Sequence, residues 1–204
     1  MSDELTIVPA NQASWEDLQA VFGMRGYTAK CQCQRFKIGP SGWTPAPREE
    51  RAMHLRIETD CGHPRSTMTS GLVAYLDGEP VGWCAVEPRT AYPRLPRQRV
   101  VFEVRGEDPA DASVWAVACF VTRAGFRRQG ISRALARAAV DFARGRGARA
   151  IEGYPMITHP GVDVTWDELH VGSRSIFADA GFTEVFHPTL RRFVMRIDFG
   201  EGTP

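Results

Sequence analysis

The chain has 204 residues, a formal net charge of +1 and 43% hydrophobic residues, enough for one globular domain over 1–204 with a core that needs no disulfide or metal. A balanced charge gives no global attraction to nucleic acid or an anionic membrane, and no apolar run reaches the ~18–20 residues of a membrane span. Five cysteines, an odd count at low density, fit a reducing cytoplasm, and the start Met1-Ser2-Asp3-Glu4-Leu5 lacks the basic-then-apolar order of a signal peptide.

Residues 4–9 read as an edge strand. Ser14 is placed to cap a helix running to about residue 24, with Glu16 and Asp17 in its first turn, where negative charge is favourable. From Gly26 to Pro47 the periodicity dissolves into turn and loop chemistry that carries Cys31, Cys33, Phe36 and Trp43. Arg48 to about Thr59 is helical again, with Ala52, Leu55 and Arg56 as its inner side. Residues 71–76 and 81–86 are two strands joined by Asp77-Gly78, a hairpin signal because both residues tolerate positive φ. Glu87 to Arg99 holds three prolines and Arg89, Arg94, Arg97 and Arg99, a stiff basic loop, and 100–104 is a short extra strand.

The stretch 114–149 organises the rest. Val114 to Val121 is a near-continuous apolar run, as expected of a strand buried on both faces. A basic loop with Arg127, Arg128, Gln129 and Gly130 leads directly into a helix over 131–144, with Ile131, Leu135, Ala138, Ala139 and Phe142 on one face. The first turn of a helix has unpaired amides and partial positive charge, and Gly130 lets an anion approach the backbone. With Arg127 and Arg128 beside it and the Ser132 hydroxyl within the turn, the loop is a candidate phosphate site. Residues 148–155 form the next strand, 156–168 a long loop, Gly172-Ser173 the start of a short helix that Gly181 stops, and 182–187 with 190–199 a final antiparallel pair. In the last strand Phe193, Met195 and Ile197 alternate with Arg192, Arg196 and Asp198, the pattern of a half-buried strand.

Arg127-Arg128-Gln129-Gly130-Ile131-Ser132 resembles the (Arg/Gln)-x-x-Gly-x-(Gly/Ala) signature of the GNAT N-acetyltransferase superfamily, and the segment Ser173 to Phe182 resembles that family's short helix followed by Gly-Phe. The resemblance covers roughly 4–199 and implies a mixed α/β sheet, mostly antiparallel, with one splayed parallel pair and flanking helices in the order β-α-α-β-β-β-α-β-α-β-β. It implies acetyl-CoA as co-substrate, its diphosphate on residues 127–132 (Ile131 included) and its pantetheine arm along the backbone of Cys119, Phe120 and Val121. It also implies direct attack of a primary amine, from a small molecule or a side chain, on the thioester, with no metal and no covalent intermediate.

One departure bears on the chemistry. Many family members carry on the short helix a Tyr that protonates the leaving thiolate; here that position is Phe177, which keeps contact with the cofactor but has no proton to give. Tyr154 and Ser175 are the alternative donors, or the thiolate leaves unassisted, since a free thiol has a pKa of ~8.5. Glu87 and Glu152 are the candidate bases, with Glu103 a third, while Arg133 and His170 are either cofactor contacts or solvated residues. The aromatics and cysteines of 26–47 suggest an amphipathic acceptor and the arginines of 88–99 one with a negative group. Relatives are often homodimers, for which the last strands could supply an interface.

Gly145-Arg146-Gly147-Ala148-Arg149-Ala150 matches a dinucleotide fingerprint but lies between helix and strand, the reverse of the order required. Cys31-x-Cys33 with Cys61-x-His63 could make a zinc site, yet the C-x-C spacing is tight, and buried free thiols are the simpler reading. A nucleic-acid binder is disfavoured by the charge balance. The rival to a transferase is a non-catalytic acyl-CoA-binding sensor in which Phe177 marks lost chemistry.

Overall fold

A computed structural model describes residues 4–39, 46–95, 104–156, 170–189 and 192–200. Strands β1 (Leu5–Pro9), β2 (Leu72–Leu76), β3 (Glu79–Pro88), β4 (Val114–Thr122), β5 (Ala150–Gly153), β6 (Thr183–Thr189) and β7 (Arg192–Asp198) form one sheet in the order β1-β2-β3-β4-β5-β7-β6. All neighbours are antiparallel except β4 and β5, which run parallel. Helices α1 (Trp15–Phe22), α2 (Gly26–Cys31), α3 (Arg48–Thr59), α4 (Ile131–Gly145) and α5 (Arg174–Asp179) flank it. This is the mixed α/β architecture with a single parallel pair that the sequence resemblance implies.

Both faces of the sheet are covered. On one, Leu18, Val21 and Phe22 of α1 and Leu55 of α3 pack with Trp83, Ala85, Ala116 and Val121. On the other, Ile131, Leu135, Ala136, Ala139 and Val140 of α4 and Phe177 of α5 pack with Ala74, Val81, Val117 and Ile151. The central strand β4 is buried from Val114 through Val121, which is why its sequence is apolar without alternation. Asp77 (φ +50) and Gly78 (φ +81) close the β2–β3 hairpin, the double positive φ of a type I′ turn. Ser14 caps α1 by accepting from the Asp17 N–H at 3.0 Å, and Gly23, at φ +72, ends it.

The structure corrects several sequence expectations. Residues 26–31 form a helix where no periodicity is visible, because six residues are too few to show one. The buried side of α3 is Arg51, Leu55 and Thr59, while Arg56 is exposed and lies over the Trp15 ring. The stiff basic loop expected over 87–99 is, as far as Leu95, built into the interior: Arg89 is completely buried, and Tyr92 and Leu95 belong to the core. In β7 the polar Arg196 is buried too, so that strand is covered on both faces at its centre. Val104 lies in a turn, and the rest of the expected 100–104 strand, with Trp43, Arg97, Arg99, Glu103 and 157–169, lies outside the described residues.

What positions the site is the parting of β4 and β5. They pair only from Val114–Ala150 to Val117–Gly153. β4 continues to Thr122, but Tyr154-Pro155 follows β5, and proline has no N–H to extend the ladder. A bulge opposite Ala85/Val86 leaves both Ala118 and Cys119 on the α1/α3 face. Close packing holds the parting strands: a Cβ added at Gly153 would fall 2.1 Å from Phe177 Cε1. Gly153→Ala is expected to cost about 1–3 kcal/mol, measurable as a shifted urea midpoint, since the Phe177 ring is fully enclosed and must move.

Candidate active site

A cleft of about 420 Å³ opens where β4 and β5 part, lined by the end of β4 (Phe120, Val121, Thr122), the loop before α4 and the start of α5. Its opposite wall is Arg25 to Thr28 at the start of α2. Three of the lining residues are arginines (Arg25, Arg127, Arg128) and none is acidic, so the cleft suits an anion.

The loop before α4 explains that preference locally. Arg128 (φ +64) and Gly130 (φ +79) are left-handed on either side of Gln129, the alternation that turns amides toward a common anion. Gly130 is the N-cap of α4, and no atom lies within 4 Å of where its Cβ would be, so the approach to the first-turn amides is open. The Ser132 hydroxyl faces the cleft 3.1 Å from the Thr122 hydroxyl, and Gln129 Nε2 closes the loop on the Gly125 carbonyl at 3.4 Å. Ile131 points instead into the core. Arg133 is turned away, pairing with Asp179 at 2.7 Å. A diphosphate fits this donor set: two guanidinium groups, a hydroxyl and open helix amides.

Further in, the backbone of β4 faces two ways. The Phe120 N–H points into the opening and donates to the His170 carbonyl at 2.6 Å. The Arg123 N–H donates to Val81 on β3, so by strand alternation Val121 also faces β3 and Thr122 faces the opening. Met156 N–H donates to the Gly172 carbonyl, so residues 170–173 form the rear wall. The His170 ring sits between Tyr27 and Phe36. Phe177 is fully buried edge-on to Phe120 and Phe182 and lies outside the cleft lining.

Further along the same strands, beyond the residues that line the cleft, the sheet carries a polar row. Register places Glu87 of β3, Ala116 of β4, Glu152 of β5 and Arg196 of β7 side by side, with the two carboxylates flanking the small Ala116 on strands about 10 Å apart. Their environments are opposite. Glu152 is completely buried and accepts from Arg105 (2.6 Å), Arg196 (2.7 Å), Arg89 (3.3 Å) and the Tyr154 hydroxyl (2.7 Å). Burial pushes its carboxyl up, but the bonds from Arg105, Tyr154 and Arg196 outweigh that and hold it below the ordinary range. Glu107 bridges the same arginines, and Arg89 also donates to the Asp108 carbonyl at 2.6 Å. A carboxylate so held is engaged as a counter-ion to the arginines and is a weaker proton acceptor than an ordinary glutamate. Tyr154, for its part, spends its proton on Glu152.

Glu87 is set differently. Burial raises its carboxyl pKa above the ordinary value, and Lys37, 2.5 Å away, only partly offsets this. Burial would lower the Lys37 pKa, but Glu87 and Glu58 (2.9 Å) raise it, so the ammonium keeps its charge. The Tyr92 ring lies 5.3 Å from Lys37 Nζ. Ser175 is exposed on the first turn of α5 and shares a hydrogen bond with Ser173, which lines the cleft. No periodicity or motif in the chain marks the α2 wall, Lys37 or Glu58. The arginine cage had one signal: charged Glu152 stands in an otherwise apolar strand.

A split parallel pair with a basic, open helix N-terminus at its mouth is the architecture of an acyl-CoA-type transferase fold, and comparison with known proteins agrees. The acetyltransferase (GNAT) family model matches residues 34–154, and the chain belongs to that family. Among solved structures it is similar to a GCN5-related N-acetyltransferase from Kribbella flavida (18% identity, TM-score 0.54, covering 96% of this chain and 98% of that one). It is also similar to ribosomal-protein-alanine N-acetyltransferase from Brucella melitensis (16%, 0.54, 95% and 99%) and an N-acetyltransferase from Staphylococcus aureus Mu50 (15%, 0.54, 96% and 98%). No curated protein matches. Among the described residues no helix is long and apolar enough to cross a membrane, and no group of three or more His, Cys, Asp or Glu is placed to hold a metal. Cys61 instead hydrogen-bonds to Thr59, and His63 pairs with Asp60.

Proposed function

We propose that the chain is an N-acetyltransferase that moves an acetyl group from acetyl-CoA directly to a primary amine. The observation that carries this is the cleft, with an anion-suited loop at its mouth and the Thr122 amide facing its opening, while a carboxyl of raised pKa, Glu87, lies further along the same strands. In this reading the donor's diphosphate rests on Arg127, Arg128, Gly130 and Ser132. Its arm follows Val121 and Thr122 inward, and its thioester lies by Ala118 and Cys119, where β4 and β5 part.

The amine then approaches over Ala116 with Glu87 as base. A carboxyl of raised pKa is better matched to accept a proton near neutral pH than the acid-locked Glu152. Lys37, Glu58 and Glu87 together carry one net negative charge when ionised, which favours a cationic amine over an anionic acceptor. Of the arginines expected to attract a negative group, Arg89 is buried and Arg94 is tied to the Arg35 carbonyl at 3.0 Å, while Arg97 and Arg99 lie outside the described residues. The thiolate leaves without a dedicated acid, since Phe177 has no proton and Tyr154 is committed to Glu152. Tyr154→Phe is therefore expected to stay within about threefold of wild-type turnover, far from the hundredfold loss of a general acid, while losing about 1–3 kcal/mol of stability. Turnover assays beside a denaturant titration would check both.

The test of the function is coenzyme A release from acetyl-CoA across a panel of polyamines, amino sugars, amino acids and lysine peptides. Amine-dependent release supports the transferase. Tight binding with no response to any amine favours the sensor reading, which Phe177 supports.

A further inference from the structure

The chain carries 23 arginines and two lysines, Lys30 and Lys37. Lys30 is exposed, whereas the Lys37 side chain is only 11% exposed, so one of the two ammonium groups stands in an interior position. There it touches two carboxylates at once, Glu87 of β3 at 2.5 Å and Glu58 of α3 at 2.9 Å, with the Tyr92 ring 5.3 Å from Nζ. An ammonium is a compact point charge that can sit between two carboxylates, where a planar guanidinium would lie flat against one. The segment that delivers it is anchored. The N–H groups of Lys37 and Ile38 donate to the Gln34 carbonyl at 3.1 and 3.0 Å, the buried Gln34 side chain donates to Glu58 at 2.9 Å, and the Arg94 N–H donates to the Phe36 carbonyl at 3.1 Å. An ion pair that served stability alone would need one carboxylate. A second one leaves a negative charge uncompensated in a largely buried site, which works against folding and is characteristic of functional sites.

We propose that Lys37 is a positioning residue for the base of the transfer: paired with Glu87 and Glu58 at once, it holds the Glu87 carboxylate in place on β3, and these two opposed partners set the pH at which Glu87 accepts the acceptor's proton. The proposal rests on the reading of Glu87 as that base. Lys37 favours the ionised form of Glu87, while Glu58, held on the same nitrogen, stands close enough to disfavour it. Burial raises the Glu87 carboxyl, Lys37 lowers it, and Glu58 raises it again. Burial would lower Lys37, but its two carboxylates raise it more, so its charge persists through the range in which Glu87 titrates. Among the described residues, the other titratable neighbour is the fully buried Tyr92, whose hydroxyl burial raises well above its ordinary value and so keeps neutral. Across Ala116, the charge of Glu152 is taken up by Arg105, Arg196 and Arg89.

The experiment measures the pH profile of kcat/KM, with an amine that the wild type acetylates, for the full chain and for Lys37→Met, Lys37→Arg and Glu58→Gln. Removing the cation in Lys37→Met should move the acid limb up by about one pH unit or more, so that turnover lost on the limb returns at higher pH. Lys37→Arg should bring the midpoint back toward that of wild type, and Glu58→Gln should move it the other way, to lower pH. The Glu87 carboxyl carbon, followed by NMR in glutamate-labelled protein and assigned by its absence in Glu87→Gln, should titrate with the same ordering. An unmoved midpoint in Lys37→Met, with activity lowered equally at every pH, makes Lys37 a structural residue only and overturns the proposal. A limb that shifts upward in Glu58→Gln overturns it as well. If Lys37→Met does not fold, Glu58→Gln decides, and an unmoved midpoint there is the contrary result. A wild type that acetylates no amine of the panel removes the transferase reading and this proposal together, whereas turnover with unmoved midpoints removes the role of Lys37 alone.

Discussion

Glu152→Ala is expected to destabilise the protein by about 3–5 kcal/mol, because it leaves buried arginines without their common counter-ion. Arg89 and Arg196 are nearly inaccessible to water, and Glu107, partly exposed and at 3.3–3.5 Å, is a weaker partner than Glu152, which stands 2.6–2.7 Å from Arg105 and Arg196 and 3.3 Å from Arg89. A urea titration would show the loss as a lower midpoint with an unchanged slope. The pH dependence follows from the same geometry. The folded carboxyl is held below its ordinary 4.5, so its stabilising contribution is complete above that value and is lost as pH falls through the lower, folded value. Glu152→Gln should therefore lack that part of the acid destabilisation. A variant as stable as wild type would mean the cage is not a stability element.

The second large effect is on turnover. Glu87→Gln is expected to lower kcat/KM by about a hundredfold or more, the usual contribution of a general base, with donor binding little changed. Because Glu87 is raised rather than lowered, wild-type kcat/KM should climb with pH through a limb above the ordinary 4.5 of a glutamate and then level, and the variant should lose that limb. The stability sign is opposite to that of Glu152. Ionising a group whose folded pKa is raised works against the fold, so Glu87→Gln should cost little stability at neutral pH while Glu58 still neutralises Lys37. A large stability loss with an unaltered pH profile would make Glu87 one more structural partner of Lys37.

Much of the fold was legible in the sequence because its central elements follow simple periodicities. The apolar run of β4, the Asp77-Gly78 turn and the amphipathic α4 all stand where the pattern puts them. Even so, the buried face of α4 includes Ala136, Val140 and Ala143, with Ala138 and Phe142 only half-buried. What could not be read was long-range pairing. Glu87 and Glu152 look alike in the sequence, and only the folded chain brings three arginines to one and a lysine to the other. Helix α2 was invisible for a different reason: its ends are set by Gly26 at φ +85 and by left-handed Gln32, and no hydrophobic period marks its six residues. Family resemblance placed Phe177 correctly on the short helix, but its packing on Gly153 is a property of this chain's core.

The central claim is that the loop ahead of α4 holds a diphosphate, so that the opening between β4 and β5 can align a thioester. Amide hydrogen exchange of the full chain, with and without coenzyme A, tests it most directly. Saturating coenzyme A should slow exchange at Arg128 through Ser132 and at Thr122, and Arg128→Ala should weaken its binding by about tenfold or more. Coenzyme A that fails to bind, or binds and leaves those amides exchanging as before, would contradict the account.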